Sequence, residues 1–214
     1  MGVHAAIEVE DATGDLPVYV QRDTDVDQRG VRAKIGAAAE RAGFVLLVGG
    51  SSVGKTRCAY EAIRALLPDW WLVQAADPAD PVEIRALAED PTPRTVVWLD
   101  ELQRHLGGAN ALTAGTIRAL LMAPAPVVLV GTLWPEWYTA YTARPDLGEQ
   151  DPYRREREVL ELAEVVRVNA RFSSAELARA EDAAAEDDRI RAALTVSDYG
   201  LTQALAAAPQ LVSR

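Results

Sequence analysis

Gly49-Gly50-Ser51-Ser52-Val53-Gly54-Lys55-Thr56 has the residue types and the spacing to cradle a phosphate chain. The pattern is G-x-x-x-x-G-K-T. Successive backbone amides must turn inward around an anion, so glycine is needed where φ becomes positive or another backbone comes close. Ser51, Ser52 and Val53 supply intervening amides. Lys55 brings a mobile cation to the terminal phosphates, and the Thr56 hydroxyl suits Mg²⁺. A second stretch downstream, Arg94-Thr95-Val96-Val97-Trp98-Leu99-Asp100-Glu101, is an apolar run that ends in two carboxylates. At the C-terminal end of a buried strand, Asp100 can hold Mg²⁺ opposite Thr56, and Glu101 can polarise a water for attack on a γ-phosphate.

These groups need elements to position them. Phe44-Val45-Leu46-Leu47-Val48 reads as a strand buried on both faces, directly before the loop. Behind the loop, Ala59, Ala62, Ile63, Leu66 and Leu67 recur at helical spacing over Arg57 to Leu67, and Pro68 stops the helix. Its N-terminus faces the phosphates. A helix over Asp27 to Arg41, closed by Gly43, precedes the loop strand. Further strands are expected at Trp70–Gln74, Val96–Leu99, Pro126–Thr132 and Val165–Val168. Helices are expected from Asp80-Pro81 through Leu87, over Leu112–Met122 and over Glu156–Ala163.

Some residues admit two readings. Thr132 ends a strand, where its hydroxyl either senses a γ-phosphate or caps the next segment. Arg22 and Asp23, in the segment before the loop strand, either lie against a nucleotide base or form a capping turn with solvated charges. The aromatic run Leu133-Trp134-Pro135-Glu136-Trp137-Tyr138, with Tyr141, reads by default as core packing beside the site, the alternative being an exposed partner surface. His105 reads as a surface residue. Among Arg144, Arg154 and Arg155, any one could reach a γ-phosphate as an arginine finger, although such a run more often forms a solvated loop.

From Arg171 the composition shifts to alanine-rich helix. Ser173-Ser174-Ala175-Glu176 is a capping box that opens a helix to Ala185, with further helices at Ile190–Leu194 and Thr202–Ala208. The expected organisation is a lead-in over 1–15, a nucleotide-binding domain over 16–170 and a helical lid over 171–214. The fold class is α/β: a three-layer domain on a mostly parallel five-stranded sheet.

The 214-residue chain carries a formal net charge of -10, spread along its length, which disfavours nucleic acid as a partner. No long apolar run indicates a membrane span, and no N-terminal signal pattern is present. The single cysteine, Cys58, excludes an intramolecular disulfide, fits a reducing, cytoplasmic setting and reads as a buried thiol.

The chain resembles the signal-transduction nucleoside triphosphatases with numerous domains, relatives of the AAA+ ATPases, and especially the actinobacterial ATP-binding proteins of that group. The resemblance rests on Tyr19-Val20-Gln21-Arg22-Asp23, on Gly49 to Arg57 (G-x-S-S-V-G-K-T-R), on Val96 to Leu102 (V-V-W-L-D-E-L) and on Gly131-Thr132-Leu133-Trp134-Pro135-Glu136. It implies a central loop strand beside the strand ending at Thr132, with Arg57 and Pro209 near the nucleotide. Pro209 lacks the glycine that usually precedes it in that family. No Asn-Lys-x-Asp motif reads guanine, and the resemblance implies adenine. The expectation is an ATP- and Mg²⁺-dependent switch with slow hydrolysis. A protein partner or a homo-oligomer would form through the nucleotide domain. Two alternatives are a non-hydrolysing ATP/ADP sensor that docks a partner and a P-loop kinase for a small acceptor.

Overall fold

The computed structural model describes residues 17–146, 148, 150–195 and 200–205. The expected lead-in 1–15 and Pro209 lie outside them. At the centre is a sheet of five parallel strands: β1 (Gly43–Val48), β2 (Trp71–Gln74), β3 (Thr95–Leu99), β4 (Val127–Leu133) and β5 (Glu164–Arg167). Their order is β2-β3-β4-β1-β5. The loop strand β1 therefore lies between β4 and β5, in register Gly43↔Val128 and Val45↔Glu164.

The continuous apolar sequence of β1 has a direct cause in packing. Side chains alternate between faces, so Phe44, Leu46 and Val48 enter one core while Val45 and Leu47 enter the other. On the first face, helices α4 (Val82–Glu89), α5 (Ala114–Leu121) and α7 (Arg154–Leu160) bury Ile84, Leu87, Ile117, Leu120, Val159 and Leu160. On the second, α2 (Val31–Arg41) and α3 (Lys55–Leu66) contribute Val31, Ile35, Ala38, Cys58, Ala59 and Ala62. Helix α6 (Pro135–Thr142) follows β4.

A third apolar cluster stands apart from the sheet. It joins Val20 to α8 (Ser174–Ala183), α9 (Asp188–Leu194) and a helical segment at 201–205 through Ala180, Ile190, Leu201 and Ala204. The capping box that opens α8 forms as expected: the Glu176 amide donates to Ser173 Oγ at 3.1 Å, and the Ser173 amide donates to Glu176 Oε2 at 2.8 Å. No helix among the described residues is long and apolar enough to cross a membrane.

Three expectations are corrected here. The helix anticipated from Asp27 starts at Val31, because α1 (Asp23–Val26) forms a separate turn and Gly30 is wedged against it. A Cβ at Gly30 would lie 2.0 Å from the Thr24 carbonyl oxygen. His105 is buried, at 2% exposure, in the 3-10 turn Leu102–His105, and burial lowers its pKa from the ordinary histidine value. Within the aromatic run, Tyr141 is buried, but Trp134 and Trp137 are 37% and 39% exposed. Pro135 starts α6 there, and Trp137 lies at the rim of the core with its ring centre 5.4 Å from that of Tyr141.

Candidate functional site

The C-terminal ends of β1, β3 and β4 converge, and each carries one part of the site. After β1 the chain runs closely past β5: a Cβ at Gly49 would lie 2.7 Å from the Val168 carbonyl oxygen, so only glycine fits. Ser52 then takes φ 55° and Gly54 takes φ 89°. Left-handed residues among right-handed ones turn successive amides toward one concave side, a nest suited to an anion. For Ser52 this backbone is strained, a cost of about 1–3 kcal/mol that clusters at functional sites. Val53 is buried beneath the loop, while Ser51 and Ser52 are exposed, with their hydroxyl oxygens 3.5 Å apart.

Gly54 is the N-cap of α3, so Lys55 and Thr56 occupy its first turn. The Lys55 Nζ folds back and donates to the carbonyls of Gly49 at 2.8 Å and Gly50 at 2.6 Å. Burial pulls this ammonium below the usual lysine pKa, and the carboxylates of Asp100, Glu101 and Glu136 oppose that shift. Lys55 is thus a buried cation within electrostatic reach of three carboxylates.

The register Leu99↔Gly131 sets the ends of β3 and β4 side by side. Thr132, 1% exposed, uses its hydroxyl twice: it donates to Asp100 Oδ1 at 2.6 Å and accepts the Glu101 amide at 2.9 Å. Glu101 itself adopts φ 51° and ψ 60°, a left-handed turn unusual for a non-glycine residue. Thr132 therefore clamps the acidic turn. It does not cap the following helix, whose N-cap is Trp134. Asp100 Oδ1 also accepts the Thr56 hydroxyl at 3.1 Å. Lys55, Thr56, Asp100, Glu101 and Thr132, read from three distant stretches of sequence, come together. The Glu101 carboxylate lies 3.7 Å from Arg104, a solvent-exposed pair that holds it only weakly.

A cavity of about 550 Å³ opens beside the loop. Ser52 to Arg57 line it, together with Tyr19, Arg22, Phe172 and Leu201. Its size suits a small-molecule ligand. Arg57 pairs with Glu61 at 2.7 Å and lies over the Tyr19 ring. Arg22 lines the cavity too, and as N-cap of α1 it heads the expected capping turn, its amide donating to Asp25 at 2.7 Å, but its charge is not solvated. It is buried at 3% exposure, and its guanidinium donates to Glu176, to the Val53 carbonyl and to the Asn169 carbonyl. Asp23 is half-buried and held by Ser173 and Arg179, which pull its pKa below the ordinary aspartate value. Arg154 pairs with Glu158 on the exposed side of α7, and the arginines among the lining residues of the cavity are Arg22 and Arg57, not Arg144, Arg154 or Arg155.

Sequence reasoning missed Glu176 as a partner of Arg22 and Phe172 as the ring beneath it. The capping box accounts for one Glu176 oxygen. The other is free to bond elsewhere, and a buried arginine far away in sequence is the natural donor.

Cys58 lies behind the loop, fully buried. Tyr19 Oη donates to Asp25 at 2.6 Å, and the Cys58 thiol faces the same carboxylate at 3.5 Å. Burial and the nearby Asp25 push the thiol up to about 12, so it stays protonated and unreactive. A thiol-specific reagent at neutral pH should label the native protein at least about 100-fold more slowly than the denatured protein, because the native thiolate fraction is that much smaller. Equal labelling rates by mass spectrometry would contradict this picture.

Among the described residues, no group of three or more His, Cys, Asp and Glu side chains is arranged to hold a metal ion. A hydroxyl and a carboxylate, Thr56 and Asp100, do meet beside the nest. That all-oxygen pair fits Mg²⁺, which keeps several waters and takes further ligands from substrate phosphates. No protein-family model matches this chain, and no curated protein matches it.

Proposed function

We propose that the chain is a P-loop nucleoside triphosphatase domain that binds ATP with Mg²⁺ and hydrolyses it slowly, as a conformational switch. The observation that carries this reading is the hydrogen-bonded set Thr56–Asp100–Thr132–Glu101 beside a nest whose lysine faces inward. The strand order supports the same class, since β4 separates the loop strand from the strand that ends in Asp100. The adjacent cavity has room for a nucleoside.

In this mechanism the loop amides and Lys55 neutralise the β- and γ-phosphates, where charge is greatest in the transition state. Thr56 and Asp100 would hold Mg²⁺, which would draw further charge from the phosphate oxygens. Glu101 orients a water in line with the γ-phosphorus and takes one of its protons. The new bond forms from the water oxygen to phosphorus, the bond to the β,γ-bridging oxygen breaks, and ADP and inorganic phosphate leave. Thr132 keeps Asp100 and Glu101 in the geometry that these roles require.

One observation favours a second reading, a nucleotide sensor without hydrolysis. Both arginines that line the cavity are already paired with carboxylates, Arg22 with Glu176 and Arg57 with Glu61. An arginine from a neighbouring subunit would then be needed for turnover.

The deciding measurement is equilibrium binding of ATP and ADP to the purified chain, followed by steady-state turnover, with Lys55→Ala in parallel. The wild-type chain should bind both nucleotides. Lys55→Ala should lose affinity about 100-fold, as expected for two charge-assisted hydrogen bonds at about 1.5 kcal/mol each. Binding without turnover would select the sensor. Equal affinity in Lys55→Ala would end both readings.

A further inference from the structure

We propose that Arg22 is a positioning residue of the phosphate loop, and that helix α8 sets nucleotide affinity through it. This rests on the nucleotide-binding reading above and adds a control that lies outside the loop.

Arg22 is a buried cation with three separate anchors. Nε donates to Glu176 Oε1 of α8 at 2.9 Å, one terminal nitrogen donates to the Val53 carbonyl at 3.0 Å and the other donates to the Asn169 carbonyl at 2.8 Å. The guanidinium lies 4.2 Å from the centre of the Phe172 ring. The same Glu176 oxygen accepts the Asp23 amide at 2.7 Å, and Asp23 takes bonds from Ser173 and Arg179. One guanidinium thus links the phosphate loop to the start of α8.

The link to Val53 has a consequence within the loop. The Val53 carbonyl and the Gly54 amide belong to one planar trans peptide and point in opposite directions. Holding that carbonyl toward Arg22 aims the Gly54 amide away from it, as an anion nest needs. Gly54 by itself would not fix this orientation, because glycine accepts either sign of φ. Arg22 therefore keeps one loop amide turned toward phosphate. A buried guanidinium cannot stay in place without its carboxylate, since an unpaired charge there is strongly disfavoured. When α8 withdraws Glu176, Arg22 must leave, and the Val53–Gly54 peptide is released. Linkage makes the effect reciprocal: phosphate in the nest tightens the clasp on α8.

The test uses the full chain with Mg-ADP as ligand. Glu176→Gln keeps the capping box but removes the charge that anchors Arg22. It should weaken Mg-ADP about tenfold, although Glu176 is not among the residues that line the cavity. Arg179→Ala loosens the same segment from α8 without touching the loop, and it should leave affinity unchanged. A merely structural role for the clasp would weaken both alike, which would overturn the proposal. In the wild-type chain, Mg-ADP should also slow hydrogen exchange at the Asp23 and Ser173 amides, both bonded to Glu176. In Arg22→Gln, bound nucleotide should no longer slow it. Exchange that fails to respond in the wild-type chain, or responds equally in Arg22→Gln, would overturn the coupling even if Glu176→Gln does not fold. If the wild-type chain binds no Mg-ADP, the nucleotide reading itself fails, and this inference falls with it.

Discussion

Replacing Glu101 with glutamine will leave a protein that takes up ATP but converts it to ADP at least about 100-fold more slowly, the range that general-base assistance contributes. The amide matches the carboxylate in shape, so the left-handed turn at 101 and the amide bond to Thr132 are kept. What is lost is the group that, in the proposed mechanism, receives a proton from water. The weak contact with Arg104 is lost as well, with little effect on an exposed pair. Purified Glu101→Gln should therefore carry ATP where the wild-type chain carries ADP, as chromatography of released nucleotide would show. Turnover equal to wild type would remove Glu101 from the mechanism and point to a different proton acceptor.

The second large effect belongs to Thr132. Thr132→Val nearly conserves volume but deletes a hydroxyl that makes two bonds at once. Asp100 loses its shorter donor, and the Glu101 amide loses its acceptor in a turn that is already strained. An unmet polar group of this kind costs about 1–3 kcal/mol. The variant should be less stable by about 2–3 kcal/mol, which for a chain of this size lowers Tm by about 4–12 °C. If Thr132 fixes the acidic pair for hydrolysis, turnover falls at least about 100-fold, while affinity for ATP, set by the loop and Lys55, changes little. Thr132→Ser, which restores the hydroxyl, should recover most of both. A Tm within about one degree of wild type in calorimetry would show that the clamp carries no energy.

How much of this was legible in the sequence depends on which forces fixed each part. The strands could be read because parallel strands covered on both faces must be apolar over most of their length, as residues 44–48 and 127–130 are. The loop could be read because its geometry restricts residue type at fixed spacing, as the close approach at Gly49 and the positive φ at Gly54 bear out. The break before Val31 was hidden because Gly30 is needed for contact with the carbonyl of Thr24, and that contact exists only once α1 has folded. His105 was misread for a similar reason. A lone histidine carries no periodic signal, and its burial follows from a 3-10 turn packed beneath the sheet. Arg22 was noticed, but its burial was not foreseen. Its environment is assembled from Val53, Asn169, Phe172 and Glu176, and no local pattern records contacts of that range.

The placement of β1 between two later strands also bears on how the protein is made. Its partner β4 begins roughly 80 residues downstream and β5 later still, so a ribosome adding about 5–20 residues per second leaves β1 unpartnered for about 4–16 s or more. During that interval Gly43-Phe44-Val45-Leu46-Leu47-Val48 is an uncharged, strand-forming segment with both edges open, the kind that associates with other chains. The loop after it cannot take its final shape until Val168 has been synthesised and closes against Gly49. In vivo yield should therefore be set by chaperone protection of that one segment during translation, more than by the stability of the finished sheet.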